Sequence, residues 1–396
     1  MMTVLSWLLS AVALLILLPV LVLFAQVLLA CLPARVPPAG QGPRPRVAVL
    51  MPAHNEAAVI VRSLESIRGQ LGEGDRVLVV ADNCSDQTAA LARAAGAEVV
   101  ERAHAHLRGK GYALDYGVRH LAEAPPQVVV VIDADCQVSP GSIDHLARRC
   151  IDSGRPVQAL DLMCAPPGAG LKIQIAEFAW RVKNLVRPRG WARIGLPCQL
   201  MGTGMAFSWP DLAASNLATG HLVEDLKLGL DFCRNGKPPL FCPDAQVTSL
   251  FPTNEEGLAS QRKRWEHGHL GVLLAEGPRL VRDALARRNG PLLAMALDLL
   301  VPPLALLSLA LMAVFGLTWL ACGVFGVLAP ALIATAAMAM LGAAVLLAWG
   351  RFSRELIPFS VLLYAPFYAA KKIPLYLGFL LKRQVEWVRS KRDDSQ

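Results

Sequence analysis

The chain has 396 residues, of which 54% are hydrophobic and 18% are charged, below the roughly 25% of charged residues in soluble domains. This composition excludes a wholly soluble protein and predicts that part of the chain lies in lipid. The net charge of +8 is compatible with anionic lipid or an anionic substrate. The sequence lacks the aromatic and basic pattern that is typical of RNA-binding segments, so no nucleic acid is expected as a partner.

Residues 1–34 are predicted to form an N-terminal transmembrane helix, because the run from 5 to 32 is uniformly apolar and too long for a signal-peptide core. Residues 35–45, rich in proline and glycine, are predicted to be a linker. Arg35, Arg44 and Arg46 follow the apolar run, and the positive-inside rule therefore places what comes next in the cytoplasm. We expect an integral protein of a bacterial-type inner (plasma) membrane with a cytoplasmic central domain.

Residues 46–259 are predicted to form an α/β domain in which strands and helices alternate. Unbroken apolar runs predict strands over 47–51, 76–81, 97–101 and 128–132. Apolar residues at helical spacing predict helices over 56–70 and 109–122, with an alanine-rich helix that ends at 95 between them. This order predicts the nucleotide-binding half of a doubly wound, Rossmann-like fold. Further on, the patterns predict helices over 143–150, 171–186 and 221–232, a strand over 157–163, and a strand or tight loop over 201–207.

The C-terminal third is predicted to return to the membrane. Residues 260–290 are predicted to form a basic amphipathic helix at the membrane interface. Residues 291–350 contain one charged residue, Asp298, and are long enough for two transmembrane helices, about 296–320 and 325–349. Lys371 and Lys372 interrupt the apolar run that follows, so 351–396 is predicted to be an interfacial or re-entrant segment with a basic cytoplasmic tail.

An acidic pair follows the most hydrophobic strand of the central domain, in the run Val-Val-Val-Val-Ile-Asp-Ala-Asp at 128–135. Ligands of open α/β sheets bind beyond the carboxyl ends of the strands, where Asp133 and Asp135 are expected to lie. Two carboxylates at this place can hold a divalent cation against a phosphate. The alternative is a turn that leads into the next helix.

Four more motifs follow in a fixed order around this pair: the turn Pro52-Ala53-His54-Asn55-Glu56, Asp82 after the second strand, Glu224-Asp225 at a helix start, and Gln261-x-x-Arg264-Trp265. Over about residues 46–270 the sequence resembles the family 2 glycosyltransferases, which are inverting, membrane-anchored enzymes with a GT-A fold. This group includes cellulose, hyaluronan, chitin and poly-N-acetylglucosamine synthases and ceramide glucosyltransferases. The flanking apolar segments also match its architecture.

The resemblance implies a role for each motif. Asp225, as the general base, and Glu224 beside it are expected to be the catalytic residues, and Asp133 and Asp135 are expected to hold Mg²⁺ or Mn²⁺. The positions expected to bind the substrates are Pro52, Ala53, Glu56, Asp82, Lys110, Asp133, Gln261, Arg264 and Trp265. Purely structural roles stay open for these residues. For Asp82 the alternative is an Asx turn, for Glu56 it is an acid in the first turn of a helix, and for Lys110 it is a solvated side chain. For residues 224–225 it is a charged helix start, and for Arg264 and Trp265 it is a position at the level of the lipid headgroups.

The implied function is transfer of a sugar from a nucleoside-diphospho sugar, with UDP favoured, to a lipid-linked or polysaccharide acceptor. Two spans after the central domain are few for a glycan channel, which favours a membrane-proximal acceptor and leaves any export to a partner protein. The Gln261-x-x-Arg264-Trp265 motif is often associated with processive synthesis, so a processive polysaccharide synthase is one alternative. A non-catalytic membrane scaffold of a polysaccharide complex is another.

Overall fold

The computed structural model describes residues 2–33, 42–252 and 254–381. Most of the predicted linker and the predicted basic tail from 382 lie outside these residues. The described chain divides into two compact units. An α/β unit holds 42–166 and 196–269, apart from residue 253, and a helical unit holds 2–33, 167–195 and 270–381.

The described part of the α/β unit contains one eight-stranded sheet in the order β3-β2-β1-β4-β7-β6-β8-β5. Its strands are β1 Val47–Ala53, β2 Arg76–Asp82, β3 Glu98–Arg102, β4 Val128–Val131, β5 Gln137–Val138, β6 Val157–Cys164, β7 Met205–Ser208 and β8 Leu240–Leu250. The first four in this order run parallel, β7 is antiparallel to both of its neighbours, and β8 is parallel to β6. The predicted α/β class is confirmed.

The helices, in chain order, are α1 Met2–Ala30, α2 Ile60–Arg68, α3 Thr88–Ala94, α4 Lys110–Leu121, α5 Ser142–Ser153, α6 Leu171–Arg181, α7 Arg187–Arg193, α8 Trp209–Ala213, α9 Glu224–Arg234, α10 Glu255–Ala286, α11 Gly290–Leu299, α12 Leu304–Phe325, α13 Leu328–Phe352, α14 Phe359–Ala370 and α15 Ile373–Leu381. A π-helical segment, Val182–Val186, joins α6 to α7.

Strand β4 lies at the centre of the sheet, and all four of its valines are buried. Val128 and Val130 pack into the core on one face, whereas Val129 and Val131 pack into the core on the other face. Full burial of one such side chain contributes about 1.5–3 kcal/mol. The absence of hydrophobic alternation in this run therefore reflects a strand that is covered on both faces.

Several elements of the α/β unit differ from the prediction in their bounds or were not predicted. The helix predicted from 56 begins at Ile60, because the amides of Val59 and Ile60 donate to the Glu56 carbonyl in a turn. Within the region predicted over 201–207 only β7 is a strand, and the residues before it form a loop. Strand β8 was not predicted, since Pro243 and Asp244 interrupt its apolar pattern and its register with β6 shifts at Ala159.

A polar cluster at the outer part of the sheet involves Glu98 in β3. Its carboxylate accepts hydrogen bonds from the Arg76 guanidinium at 2.8–3.0 Å and lies 2.6 Å from the His120 Nε2 atom. Burial opposes ionisation of Glu98, but the His120 and Arg76 contacts outweigh it and lower the pKa of this carboxyl.

In the helical unit, three described helices are long and apolar enough to cross a membrane: α1, α12 and α13. The predicted number of spans, one N-terminal and two C-terminal, is confirmed on these criteria. The start predicted at 296 is wrong, because Pro302 and Pro303 separate the short helix α11 from α12, and Asp298 therefore lies in α11. The predicted interfacial segment forms α14 and α15, which separate at Lys371 and Lys372 and are each too short to span a bilayer.

A buried polar cluster joins α1, α7 and α11. The Gln26 Nε2 atom donates to Asp298 Oδ1 at 2.6 Å, and the Arg187 guanidinium donates to Gln26 Oε1 at 3.2 Å and to Asp298 Oδ1 at 2.8 Å. Helix α7 also packs closely on α1 at Gly190, where a Cβ atom would lie 2.1 Å from the Gln26 carbonyl oxygen. Each charge in the cluster is paired, as burial requires.

Candidate active site

The carboxyl ends of three parallel strands meet at one edge of the sheet. Ala53 at the end of β1 is in register with Ala81, next to Asp82 at the end of β2, and β4 runs beside β1 and leads to Asp133. Pro52, also in β1, precedes Ala53. This edge is where open α/β sheets bind their ligands. The predicted residues from three separate motifs are therefore at the expected edge.

Lys110, the first residue of α4, lies between residues from several distant segments. Its Nζ atom donates to Asp133 Oδ1 and to the Gly202 carbonyl oxygen, the latter at 2.8 Å. The charges of Glu224 and Asp225, in the first turn of α9, also act on it. The structure thus gives Lys110 a salt bridge with Asp133, which the sequence did not predict.

The electrostatics of this cluster are dominated by burial and by the excess of carboxylates. Burial, together with the charges of Asp135 and Asp225, raises the pKa of Asp133 against the opposing effect of Lys110. Burial and repulsion by Asp225 raise the pKa of Glu224 to about 7. Burial would lower the pKa of Lys110, but the neighbouring carboxylates outweigh it and raise that pKa. Lys110 therefore stays charged while Glu224 takes up a proton near neutral pH.

The loop before β7 supplies two residues that the sequence analysis missed. Gly202 has φ +94°, and a Cβ atom there would lie 3.4 Å from Asp225 Oδ2 and 3.6 Å from Lys110 Nζ. The Thr203 hydroxyl accepts the backbone amide of Asp133 at 3.1 Å. The available signal was the Gly-Thr-Gly run at 202–204, because paired glycines mark a backbone that needs positive φ or a close approach.

Asp82 lies at the end of β2 and is almost fully buried. Its Oδ1 atom accepts hydrogen bonds from the Arg102 guanidinium at 2.6 Å and from the Asn83 side chain at 2.9 Å. Arg102, which was not predicted as a site residue, lies 20 residues away in β3 and also stacks over Tyr112, 5.6 Å from its ring centre. Asp82 is therefore held in one orientation at the sheet edge rather than in a solvated turn.

A cavity of about 680 Å³ opens in the α/β unit beside the cluster of Lys110 and Asp133. Glu56, Asp135 and Gln261 line it, together with the exposed Arg62 and Asp86, which the sequence analysis did not select. Gln261 is 6% exposed, and its Oε1 atom is buried with no hydrogen-bond partner among the described residues. A buried acceptor without a partner is costly, and a ligand with hydroxyl groups would satisfy it.

The other two residues of the predicted 261–265 motif lie outside the lining of the cavity. Arg264 and Trp265 are half-buried on α10 and are not among the residues that line the cavity. The structure therefore places Glu56, Asp135 and Gln261 around one cavity, and Lys110 forms an ion pair with Asp133 beside it. The substrate-binding roles of Arg264 and Trp265 stay predictions.

The residues at the predicted metal site fit a divalent cation. The described residues contain no cluster of three or more His, Cys, Asp or Glu side chains that could hold a metal by themselves. Mg²⁺ and Mn²⁺ do not need one at a phosphate site, because waters and substrate phosphates complete their shell around one or two carboxylates. Asp135 lines the cavity and Asp133 does not, so Asp135 is the better placed of the two.

Comparison with known proteins identifies this region. The family model "Glycosyltransferase like family 2" matches residues 43–268. The chain is 34% identical over 256 residues to the "Probable glycosyltransferase YdaM" of Bacillus subtilis (strain 168), which covers 58% of this chain and 56% of that protein. It is 30% identical over 107 residues to the "Uncharacterized protein MJ1222" of Methanocaldococcus jannaschii, which covers 27% of this chain and 42% of that protein. The chain thus spans about half the length of these relatives.

Among solved structures, the chain is similar to the mannosyltransferase PcManGT from Pyrobaculum calidifontis, determined in complex with GDP-Man and Mn²⁺. The similarity has a TM-score of 0.56 at 19% identity and covers 95% of this chain and 100% of that one. It confirms the predicted GT-A fold, whereas the predicted likeness to particular synthases within the family stays a prediction. Since the family model matches more than half of the chain, this protein belongs to the family 2-like glycosyltransferases.

Proposed function

We propose that this protein is an inverting, metal-dependent membrane glycosyltransferase that uses a nucleoside-diphospho sugar, with UDP as the favoured nucleotide. The observation that carries the proposal is the cluster around Lys110. The Lys110 ammonium donates hydrogen bonds to Asp133 and to the Gly202 carbonyl oxygen, and the charges of Glu224 and Asp225 act on it electrostatically. These groups come from four separate segments of the chain, and a structural ion pair alone would not require so many buried carboxylates.

Asp225 is the proposed general base. An acceptor hydroxyl is a weak nucleophile at neutral pH, so a carboxylate must take its proton as the oxygen attacks the anomeric carbon. Asp225 lies in the first turn of α9, where the helix dipole favours a negative charge. Attack from the face opposite the departing diphosphate forms the new C–O bond as the old one breaks, and this single displacement inverts the anomeric centre.

The diphosphate end of the donor would be bound by Asp133, Asp135 and Lys110. Mg²⁺ or Mn²⁺ held by the carboxylates would neutralise the charge that develops on the leaving diphosphate. The structure of the similar mannosyltransferase is a complex with GDP-Man and Mn²⁺, which supports a divalent metal and makes GDP-sugars the first competitors of UDP-sugars in a test. Lys110 adds a fixed positive charge on the same side.

The other predicted residues complete the proposed substrate site. Asp82, fixed by Arg102, and the neighbouring Pro52 and Ala53 would bind the nucleotide end at the edges of β1 and β2. Glu56 and Gln261 would contact the sugar from the cavity walls. We assign diphosphate contact to Arg264 and acceptor contact to Trp265, in line with the resemblance described above.

The proposed acceptor is lipid-linked or lies at the membrane surface. Two apolar spans follow the α/β domain, which is a small number for lining a glycan channel, so any export would be the task of a partner protein. The orientation proposed from the basic flanks places the catalytic domain in the cytoplasm. A processive polysaccharide synthase is the second candidate, and the 261–265 motif is the feature that favours it.

The test uses full-length protein in lipid with Mn²⁺ or Mg²⁺, a panel of UDP- and GDP-sugars, and membrane lipid extract as acceptor. Release of UDP or GDP is followed, and the anomeric configuration of the product is determined by NMR. Asp225→Asn should slow turnover by about 10²–10⁴-fold, the usual contribution of a general base. The matched control is Asp231→Asn on the same helix, whose surface carboxylate pairs with Lys227 and Arg234 and should be dispensable.

Two results would contradict the proposal. The first is that no donor is turned over with either metal, although lipid extract is present. The second is that the Asp225→Asn variant releases nucleotide as fast as the parent protein. Retention of the anomeric configuration would remove the inverting mechanism while leaving transferase activity in place.

A further inference from the structure

Two arginines in the helical unit have no counter-ion among the residues that the structure describes. Arg189 and Arg193 lie one helical turn apart in α7. Neither guanidinium makes a hydrogen bond or an ion pair to any residue that the structure describes, and the Nε atom of each is buried without a partner. Arg193 has a pKa that is lowered by burial and then by the charge of Arg189. Two like charges at this spacing destabilise a helix unless an anion lies between them.

Arg187, a buried arginine in the same helix, does have hydrogen-bond and ion-pair partners. Its guanidinium donates to Gln26 and to both the side chain and the carbonyl of Asp298. The face of α7 that carries Arg187 is also well packed, since Trp191 is 7% exposed and Gly190 touches α1. The helix is therefore firmly anchored through one face, and Arg189 and Arg193 occupy the other face.

The unpaired arginines lie at one end of the apolar helices. The Arg189 guanidinium is 5.6 Å from the ring centre of Phe352, the last residue of α13. Gly190 contacts Gln26, which is in the last turns of α1. The C-terminal ends of two helices that can span a membrane are thus at the level of α7. In a bilayer, this is the level at which lipid headgroups lie.

We propose that Arg189 and Arg193 bind the phosphate of an anionic membrane lipid. A planar guanidinium presents a fork of donors that matches the spacing of phosphate oxygens. Two guanidiniums one helical turn apart can bind the same phosphate. The Phe352 ring beside Arg189 provides apolar surface for the start of an acyl chain. A lipid is favoured over free phosphate because the arginines lie at the ends of spanning helices. This site is independent of the proposed sugar transfer.

The test measures lipid binding by native mass spectrometry of the full-length protein in neutral detergent. Phosphatidylglycerol and phosphatidylcholine are titrated in parallel, with and without inorganic phosphate. We expect one phosphatidylglycerol to bind in preference to phosphatidylcholine. Arg189→Gln with Arg193→Gln should weaken phosphatidylglycerol binding by about tenfold or more, because two charge-assisted hydrogen-bond donors are lost. Arg189→Lys with Arg193→Lys should retain part of the affinity, because the charge stays and the fork is lost.

The control is Arg282→Gln, which removes a charge from an exposed arginine of α10 in the same helical unit. It should bind phosphatidylglycerol like the parent protein. The proposal is overturned if the double glutamine variant keeps the parent affinity, if Arg282→Gln loses as much, or if phosphatidylcholine binds equally well. Displacement of the lipid by inorganic phosphate at equal concentration would show a free-phosphate site and would overturn the lipid assignment. Should the double glutamine variant aggregate, the single variants carry the same comparison.

Discussion

Gly202→Ala tests whether the space between Lys110 and Asp225 is used in catalysis. The backbone at Gly202 has φ +94°, a region in which a side chain costs about 1–3 kcal/mol. The new methyl group would lie 3.4 Å from Asp225 Oδ2 and 3.6 Å from Lys110 Nζ, so it touches both groups without a clash. It would fill the space from which, in the proposed mechanism, an acceptor hydroxyl reaches the proposed base. Displacing a reacting group by about 1 Å can cost roughly 10²-fold in rate, so we expect a loss of about 10–10²-fold in turnover.

Gly236→Ala is a matched control for the backbone strain. Gly236 also has a positive φ, +80°, and belongs to the same α/β unit, but a Cβ atom there has no neighbour within 4 Å. Both variants should melt at lower temperature, by roughly 2–4 °C for each kcal/mol lost in a unit of this size. Only Gly202→Ala should lose turnover in the nucleotide-release assay. Equal losses of activity in both variants, or full activity in Gly202→Ala, would refute the reasoning.

Arg102→Met should destabilise the protein by about 3–5 kcal/mol and raise the donor KM, because it leaves the Asp82 carboxylate buried without its cation. Arg93→Met, which breaks an exposed pair, should change melting and KM little, and equal effects of the two would contradict this role. Glu98 has a lowered pKa, so its contribution to stability is complete above the ordinary glutamate value of 4.5 and is lost as pH falls below it. Glu98→Gln should therefore flatten the acid side of a melting-temperature profile, whereas Glu101→Gln, a substitution at an exposed carboxylate, should leave the profile unchanged.

The fold could be predicted where one physical signal dominates. Strand β4 is buried on both faces, so its run of valines predicted its position and its parallel pairing with β1. It did not predict β7, the neighbour on its other side, which runs antiparallel. The apolar spans were equally clear, except where Pro302 and Pro303 divide the chain into α11 and α12. Strand β8 could not be predicted, because its register is irregular and it contains a proline and an aspartate.

The candidate site was predictable in its residues but not in their pairings. Motif order identified Asp133 and Asp225, yet nothing in the sequence indicates that Lys110 pairs with Asp133 across 23 positions. The same holds for Arg102, whose partner Asp82 lies in a neighbouring strand. Long-range pairs of this kind depend on strand order and register, which a linear pattern does not contain.

The charge balance of the site gives a reason for the raised pKa of Glu224. Asp133, Asp135, Glu224 and Asp225 are four carboxylates, and Lys110 is the cation among them. A donor diphosphate would be repelled by this set if every carboxylate were ionised. Burial and the charge of Asp225 raise the pKa of Glu224 to about 7, which removes part of one negative charge near neutral pH. Together with Lys110 and the proposed metal, the proton on Glu224 would let the proposed donor diphosphate approach, while Asp225 remains the group that is proposed to accept a proton.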